Sequence, residues 1–270
     1  MKKILILDSM NIAYKMFFKL PHLTNSEGLQ TSTIYGFLMS MQSLYRKFNP
    51  DVIALAWDSY ENKRKQIDPI YKRRDRKSIP HIKEFIEECV KLKKKLEQIG
   101  LPTLYCDGLE SDDVIAAVLE NKNEYIICST DNDLYQLLDD NISIWNNKDI
   151  ITKDWFIRTY GFEPRLFTIY KAIAGCESDN VKGINNIGKK KTFKLMESCK
   201  FDVDNIYRKI DSLGFKKEFN HSLRLVALPF ELKYDIELPE LKMVVNKKEL
   251  IKFLYENDIH SLDVESFCKR

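Results

Sequence analysis

The sequence predicts an α/β fold built on a mainly parallel sheet. Three apolar runs, 4–7, 52–57 and 125–128, read as strands, and the stretches between them carry helical periodicity. Runs that are apolar on both faces suit the interior of a parallel sheet. Each is followed closely by acid: Asp8, Asp58, and Asp131 with Asp133. Sites in such sheets form beyond the carboxyl ends of the strands.

Lys2–Asp8 is the first strand. Residues 31–48 follow as a helix, with Ile34, Phe37, Leu38, Met41, Leu44 and Tyr45 on one face. Val52–Trp57 is the second strand. Residues 61–77 differ in kind: eight of seventeen are Lys or Arg and three are acidic, with Tyr71 inside the run and Pro69 and Pro80 breaking it. A charge run is usually a solvated face, but cations beside a ring also suit phosphates and a base. Residues 82–99 read as an amphipathic helix ended by Gly100 and Pro102. Glu110, Asp112 and Asp113 then head the helical run 114–119.

Acids at a helix start are ordinary caps. Three strand ends plus an acidic helix start are hard to assign to capping alone, because charges this dense repel one another. A divalent ion with oxygen ligands removes that cost. The pattern therefore points to a shared metal site.

Past residue 150 the pattern becomes helical, at 154–160 and 166–174. A Gly/Asn-rich turn over 175–188 opens into a helix headed by Lys189, Lys190 and Lys191. Backbone N–H groups and lysines at such a turn suit a phosphate, and the plain alternative is a surface turn. Residues 201–270 read as helical and then irregular, with short strands near 242–245.

Composition excludes several classes. The net charge of +3 rules out a general polycation, so any nucleic-acid surface must come from local clustering. No run approaches the ~18–20 apolar residues of a membrane span, and 4–7 is too short for a secretory signal. The six cysteines (89, 106, 128, 176, 199 and 268) have no CxxC spacing and read as reduced thiols of a cytoplasmic protein.

Taken in order, these motifs resemble the 5′-nucleases: flap endonucleases, phage 5′–3′ exonucleases and the 5′-nuclease domain of bacterial DNA polymerase I. The resemblance runs from residue 4 to about 230. It rests on Leu7-Asp8-Ser9-Met10-Asn11, Tyr35-Gly36-Phe37, Trp57-Asp58, Tyr71-Lys72, Glu110-Ser111-Asp112-Asp113 and Asp131-Asn132-Asp133 with the Leu134–Leu138 run after it. Ser178-Asp179-Asn180, Gly183 and Ile187-Gly188-Lys189-Lys190 complete the set.

The resemblance implies a PIN-like parallel sheet flanked by helices, with a helical arch over 60–95 and a C-terminal helix–hairpin–helix region. It divides the chain into a catalytic domain (1–155), a helical DNA-binding domain (156–235) and an unassigned extension (236–270). Asp8, Asp58, Glu110 and Asp112 are expected around one divalent ion. Asp113, Asp131, Asp133 and Asp179 are expected to hold or support a second. Tyr71 would stack on a base and Lys72 would stabilise the scissile phosphate. Arg73, Arg74 and Arg76 join them on the strand-binding side. Gly183, Ile187, Gly188, Lys189 and Lys190 would grip duplex backbone, with a K+ ion at the hairpin.

The implied activity is Mg2+-dependent cleavage near the junction of a 5′ single strand and duplex, with Mn2+ as a substitute. The implied substrates are 5′ flaps, nicked or gapped duplex and RNA–DNA primer ends, in replication or repair. A monomer in a bacterial or phage-infected cytoplasm is expected, with replication proteins as partners and no membrane.

Three departures stand out. Cys176 replaces an aspartate of the second metal site, and a thiol is a poor partner for magnesium, so that ion should be weakly held unless Glu177 reaches in. Asp75 replaces an arginine. Asn186 replaces a glycine, mildly, since Asn tolerates left-handed backbone. The chief rival reading is a structure-specific DNA-binding protein with little or no catalysis because of Cys176. A single-strand ribonuclease of the PIN type is disfavoured by the arch and hairpin segments.

Overall fold

The computed structural model describes residues 1–20, 23–73, 79–230 and 239–265. Arg74 and Arg76 lie outside these residues, as do Asp75 and Cys268. The order is β1 (Lys3–Asp8), α1 (Ser9–Lys19), α2 (Ser32–Phe48), β2 (Val52–Ala56), α3 (Arg64–Ile67), α4 (Ile82–Ile99), β3 (Thr103–Leu104), α5 (Ser111–Val118), β4 (Glu124–Cys128), β5 (Ile142–Trp145), β6 (Ile150–Ile151), α6 (Lys153–Tyr160), α7 (Phe167–Ala174), α8 (Lys189–Ser198), α9 (Val203–Ser212), α10 (Lys216–Val226) and α11 (Lys247–Glu256).

The sheet runs β3-β2-β1-β4-β5-β6, parallel except for the final β5–β6 pair. Register decides where the acids arrive. Asp8 pairs with Ala56, and Leu7 pairs with Cys128. Asp58 and Asp131 therefore emerge beside Asp8, at one edge of the sheet.

Side chains alternate across the strands. Ile4, Ile6, Ala54, Ala56, Tyr125 and Ile127 face a core shared with α5, α7 and α10. Leu5, Leu7, Ile53, Leu55, Ile126 and Cys128 face a second core shared with α1, α2, α4 and α11. α1 and α2 meet closely at Gly36, where a Cβ would lie 2.8 Å from the Met16 side chain.

The first of these cores runs without a break from the sheet into the C-terminal helices. Phe156 stacks on Tyr160 with centroids 4.4 Å apart, and both rings approach Tyr135 from the 3₁₀ turn after β4. Phe219 of α10 lies in the same cluster.

Residues 250–262 fold back onto the second core. Leu250, Phe253, Leu254, Ile259 and Leu262 are buried there with Leu92 and Leu96 of α4. No strand forms at 242–245. The Val244 and Asn246 N–H groups donate instead to the Gly100 and Ile99 carbonyls at the end of α4. Those carbonyls have no partner within the helix.

Within 60–95 the described residues are α3, a turn over 69–72 and α4. α4 is a core helix, with Phe85, Cys89 and Leu92 buried. The expected arch segment also includes residues 74–78, which lie outside the described residues.

Candidate metal centre and active site

Asp8 ends β1 and begins α1, accepting from the Asn11 N–H at 3.2 Å. Ser129, just past β4, donates to its other oxygen at 2.7 Å, and the Ser111 hydroxyl lies 3.3 Å away. The carboxyl is thus held by groups from three elements. Burial, then the nearby Asp58 charge, pushes its pKa up to about 7. Asp58 opens to solvent on one side and accepts from the Ser111 N–H at 2.8 Å. The protein packed around its carboxyl, then Glu110, raises its pKa.

Asp112, in the first turn of α5, is buried and held well above the carboxylate range by burial and then by Asp131. Asp131 is raised by burial against the pull of Lys72 and Lys171, with Asp179 adding to the rise. These repulsions link Asp58, Asp8, Asp112, Asp131 and Asp179 in one chain of like charge. The protein holds them together at an energetic cost that a cation would relieve.

Glu110 behaves differently. Burial alone would raise its pKa, but Lys72 and Arg64 outweigh it and hold the carboxyl below its usual value. Lys72 Nζ lies 2.6 Å from Oε1. The Tyr71 hydroxyl donates to Oε2 at 2.9 Å, and Arg64 donates to the same atom at 3.1 Å. Lys72 in turn is held well above the lysine range, because Glu110 more than offsets its burial.

Two sequence expectations need correction here. Tyr71 was expected to offer its ring to a base, yet the residue is only 3% exposed and its ring packs in the first core. Its hydroxyl orients Glu110 instead. Asp113 was grouped with the second ion. It is 0% exposed, takes a two-pronged bond from Arg64 at 2.6 and 2.8 Å, and accepts from the Phe230 and Glu110 N–H groups at 2.7 and 3.1 Å. With both oxygens committed, it supports the Glu110 turn from behind.

A second group of donors lines a cleft beside these acids. Asp133, Cys176 and Asp179 place one donor atom each within 4.8 Å of one another. Asp131 stands between this group and the first, its side chain capping the turn that carries Asp133 at 2.9 Å. Lys171 of α7, itself buried, pairs with Asp133. The Cys176 thiol lies 3.5 Å from Asp179 Oδ2. Glu177 is exposed and is not a member of that group.

A cleft of about 940 Å³ runs from Asn11 and Asp131 past Cys176 and Asp179 to Gly188 and Lys189. It connects the acids to the hairpin. Gly183 has φ 66° and is buried, and a Cβ there would lie 2.4 Å from the Gly175 nitrogen. Asn186 does adopt left-handed backbone, at φ 62°. Gly188 caps α8, and Lys189 and Lys190 are exposed at its start, with Ile187 half-buried behind them. Arg73 is exposed beside Lys72.

Sequence reasoning missed Arg64 and Lys171. Arg64 lies in the basic run 61–77, yet it is 1% exposed and also donates to the Leu225 and Ala227 carbonyls at 2.9 Å. Lys171 carried a usable signal, since a single charge inside the apolar run 166–174 must be buried with a partner.

Comparison with known proteins bears on this geometry. The family described as 5′-3′ exonuclease, N-terminal resolvase-like domain, matches residues 3–161. A 5′-3′ exonuclease of Aquifex aeolicus (strain VF5) is 32% identical, covering 100% of this chain and 95% of its own. DNA polymerase I of Thermus thermophilus is 29% identical over 85% of this chain, which spans 28% of the polymerase. The bacteriophage T5 flap endonuclease, solved with DNA and metal ions, superposes with a TM-score of 0.68 at 20% identity, covering 84% of this chain and 90% of that one.

The sheet and its flanking helices are those of a PIN-like 5′-nuclease fold. The chain belongs to the 5′-3′ exonuclease family and is a nuclease. Among the described residues no helix is long and apolar enough to cross a membrane.

Proposed function

We propose that this protein is a divalent-metal-dependent 5′-nuclease that hydrolyses DNA phosphodiesters near the junction of a 5′ single strand and duplex. One observation carries the reading. Asp8, Asp58 and Asp112 converge with carboxyls raised by burial and mutual repulsion, while Lys72 stands beside Glu110 in the same site.

The donor chemistry fits hard dications. Asp8, Asp58 and Asp112 offer only oxygen, as magnesium or manganese requires, and Glu110 would join them by exchanging its Lys72 contact for the ion. Asp131, Asp133 and Asp179 extend the set toward a second ion. When bound, such ions supply an activated water and neutralise the leaving oxygen. The chain's own residues orient and exclude. Ser129 and Ser111 fix Asp8, and Tyr71 and Arg64 fix Glu110. The Lys72 ammonium is placed to donate to a phosphate oxygen as charge builds on it. Lys189, Lys190 and the Gly183–Gly188 backbone would hold duplex phosphates at the far end of the cleft, giving binding that is salt-dependent and weakly sequence-specific.

This chemistry suits removal of 5′ flaps or RNA primer ends in replication or repair, by a monomer that meets replication proteins at the junction. At the hairpin, Lys191 Nζ already donates to the Asn186 carbonyl at 2.9 Å. A K+ ion there would share that oxygen with an ammonium.

The test is a 5′-labelled flap incubated with the protein in magnesium, in manganese and in EDTA. Whole flap or short 5′ products that vanish in EDTA support the reading. Tight flap binding with no product in either metal would leave a DNA-binding protein without catalysis.

A further inference from the structure

The second donor group is unlike the first in one atom. Asp133 and Asp179 offer oxygen, while Cys176 offers sulfur. Magnesium gains little from sulfur, whereas zinc and cobalt bind thiolates strongly. The backbone of Cys176 is fixed on both sides. Its N–H donates to the Val181 carbonyl at 2.8 Å and its carbonyl accepts from the Val181 N–H at 2.9 Å. The side chain therefore leaves the loop from a set position and lines the cleft.

Distances agree with the chemistry. In a tetrahedral site with metal–sulfur near 2.3 Å and metal–oxygen near 2.1 Å, sulfur and oxygen sit about 3.6 Å apart. Cys176 Sγ and Asp179 Oδ2 are 3.5 Å apart. Charge points the same way. Lys171 already neutralises part of Asp133, so a hard dication finds less net negative charge here than in the first group.

We propose that Asp133, Cys176 and Asp179 form a mixed sulfur–oxygen centre that selects a borderline dication of the zinc or cobalt class over magnesium. The inference rests on the nuclease reading for the place of this centre beside the first. On coordination the thiol proton leaves to solvent and the sulfur lone pair bonds the metal. The enzyme would then work with two unlike ions, a hard one on the four carboxylates and a thiolate-bound one opposite.

The test is a cobalt(II) titration of the metal-free full chain, followed by absorption. Cobalt on oxygen ligands gives only weak visible bands, while a thiolate ligand adds an intense near-ultraviolet charge-transfer band. The band is expected in the wild type, in Cys106→Ser and in Cys268→Ser. It should be absent in Cys176→Ser and in Cys176→Asp, the second of which restores an all-oxygen site if serine perturbs folding. Stoichiometric zinc should bleach it, and a roughly hundredfold excess of magnesium should not. Zinc affinity at this centre should fall by at least about tenfold in Cys176→Ser.

A wild type with no such band, or a band that survives both Cys176 substitutions, overturns the proposal. Flap cleavage measured in parallel keeps the two readings separate. Cleavage in magnesium without the band removes only the sulfur centre. The band without cleavage in any metal leaves the centre standing and removes the nuclease.

Discussion

Arg64 and Asp113 form a two-pronged ion pair, at 2.6 and 2.8 Å, behind the helix start that carries Glu110 and Asp112. The pair is closed over by Phe230, whose ring lies 4.8 Å from the guanidinium carbon. Removing one partner would strand a buried charge. Arg64→Ala should therefore cost about 3–5 kcal/mol of stability, read as a lower urea midpoint. Arg64→Lys should recover only part of it, since an ammonium cannot make the fork. Midpoints within error of wild type would show that the pair is not formed in solution.

Asp112 and Asp8 are held at a cost in the metal-free protein. Asp112→Asn and Asp8→Asn should abolish flap cleavage while leaving flap affinity within a few fold. Each should also raise the thermal midpoint of the metal-free protein near pH 8, because a repelled buried charge is gone. Near wild-type cleavage by both variants would show that these carboxyls do not serve the reaction.

Asp8 also gives the metal-free protein a pH dependence of definite sign. Its folded pKa, near 7, lies above the ordinary 3.8. The folded state then holds more protons than the unfolded one between those values, so stability falls as pH rises from about 4 to 7. Asp58 and Asp112, raised in the same direction, add to the fall. Thermal midpoints taken across this range in EDTA should decline, and saturating magnesium should flatten the decline. A midpoint that climbs through the window in EDTA would contradict the raised carboxyls.

Lys189 and Lys190 are exposed at the start of α8. Their joint change to alanine should weaken duplex binding alike for all sequences. It should also reduce the slope of log affinity against log salt by roughly 1 for each lysine. An unchanged slope would place the duplex elsewhere.

Cys176→Asp should lower the magnesium concentration needed for half-maximal cleavage, since it gives the second group a third hard donor. An unchanged titration would mean that the ion there does not contact this position.

The sheet was legible because its inner strands are apolar on both faces, and α2 and α4 because their apolar spacing is strongly helical. β3 and β6 were not: two residues each are too short to show any period. β5 was missed because only Ile144 in it is fully buried. α1 hid because it starts immediately after β1, without a break in apolar character. Among the site residues, the acids were legible from their places after strands. Arg64 was not, because a basic run does not say which of its members turns inward. Tyr71 was misjudged for the same reason, since burial of its ring depends on Glu110 and on a core assembled from distant segments.

The way α11 and residues 259–262 fill the layer against α2 and α4 bears on how the chain is made. Half of that layer, α2 and α4 (Ser32–Phe48 and Ile82–Ile99), is synthesised well before the other half at α11 (Lys247–Glu256). As the chain leaves the ribosome, the apolar face of α4 waits uncovered until the last of these residues emerges. Contacts so far apart in sequence form slowly and late. A nascent chain would therefore carry its first acids before its rear wall is closed, and cutting competence would mature only after residues 250–262 have emerged.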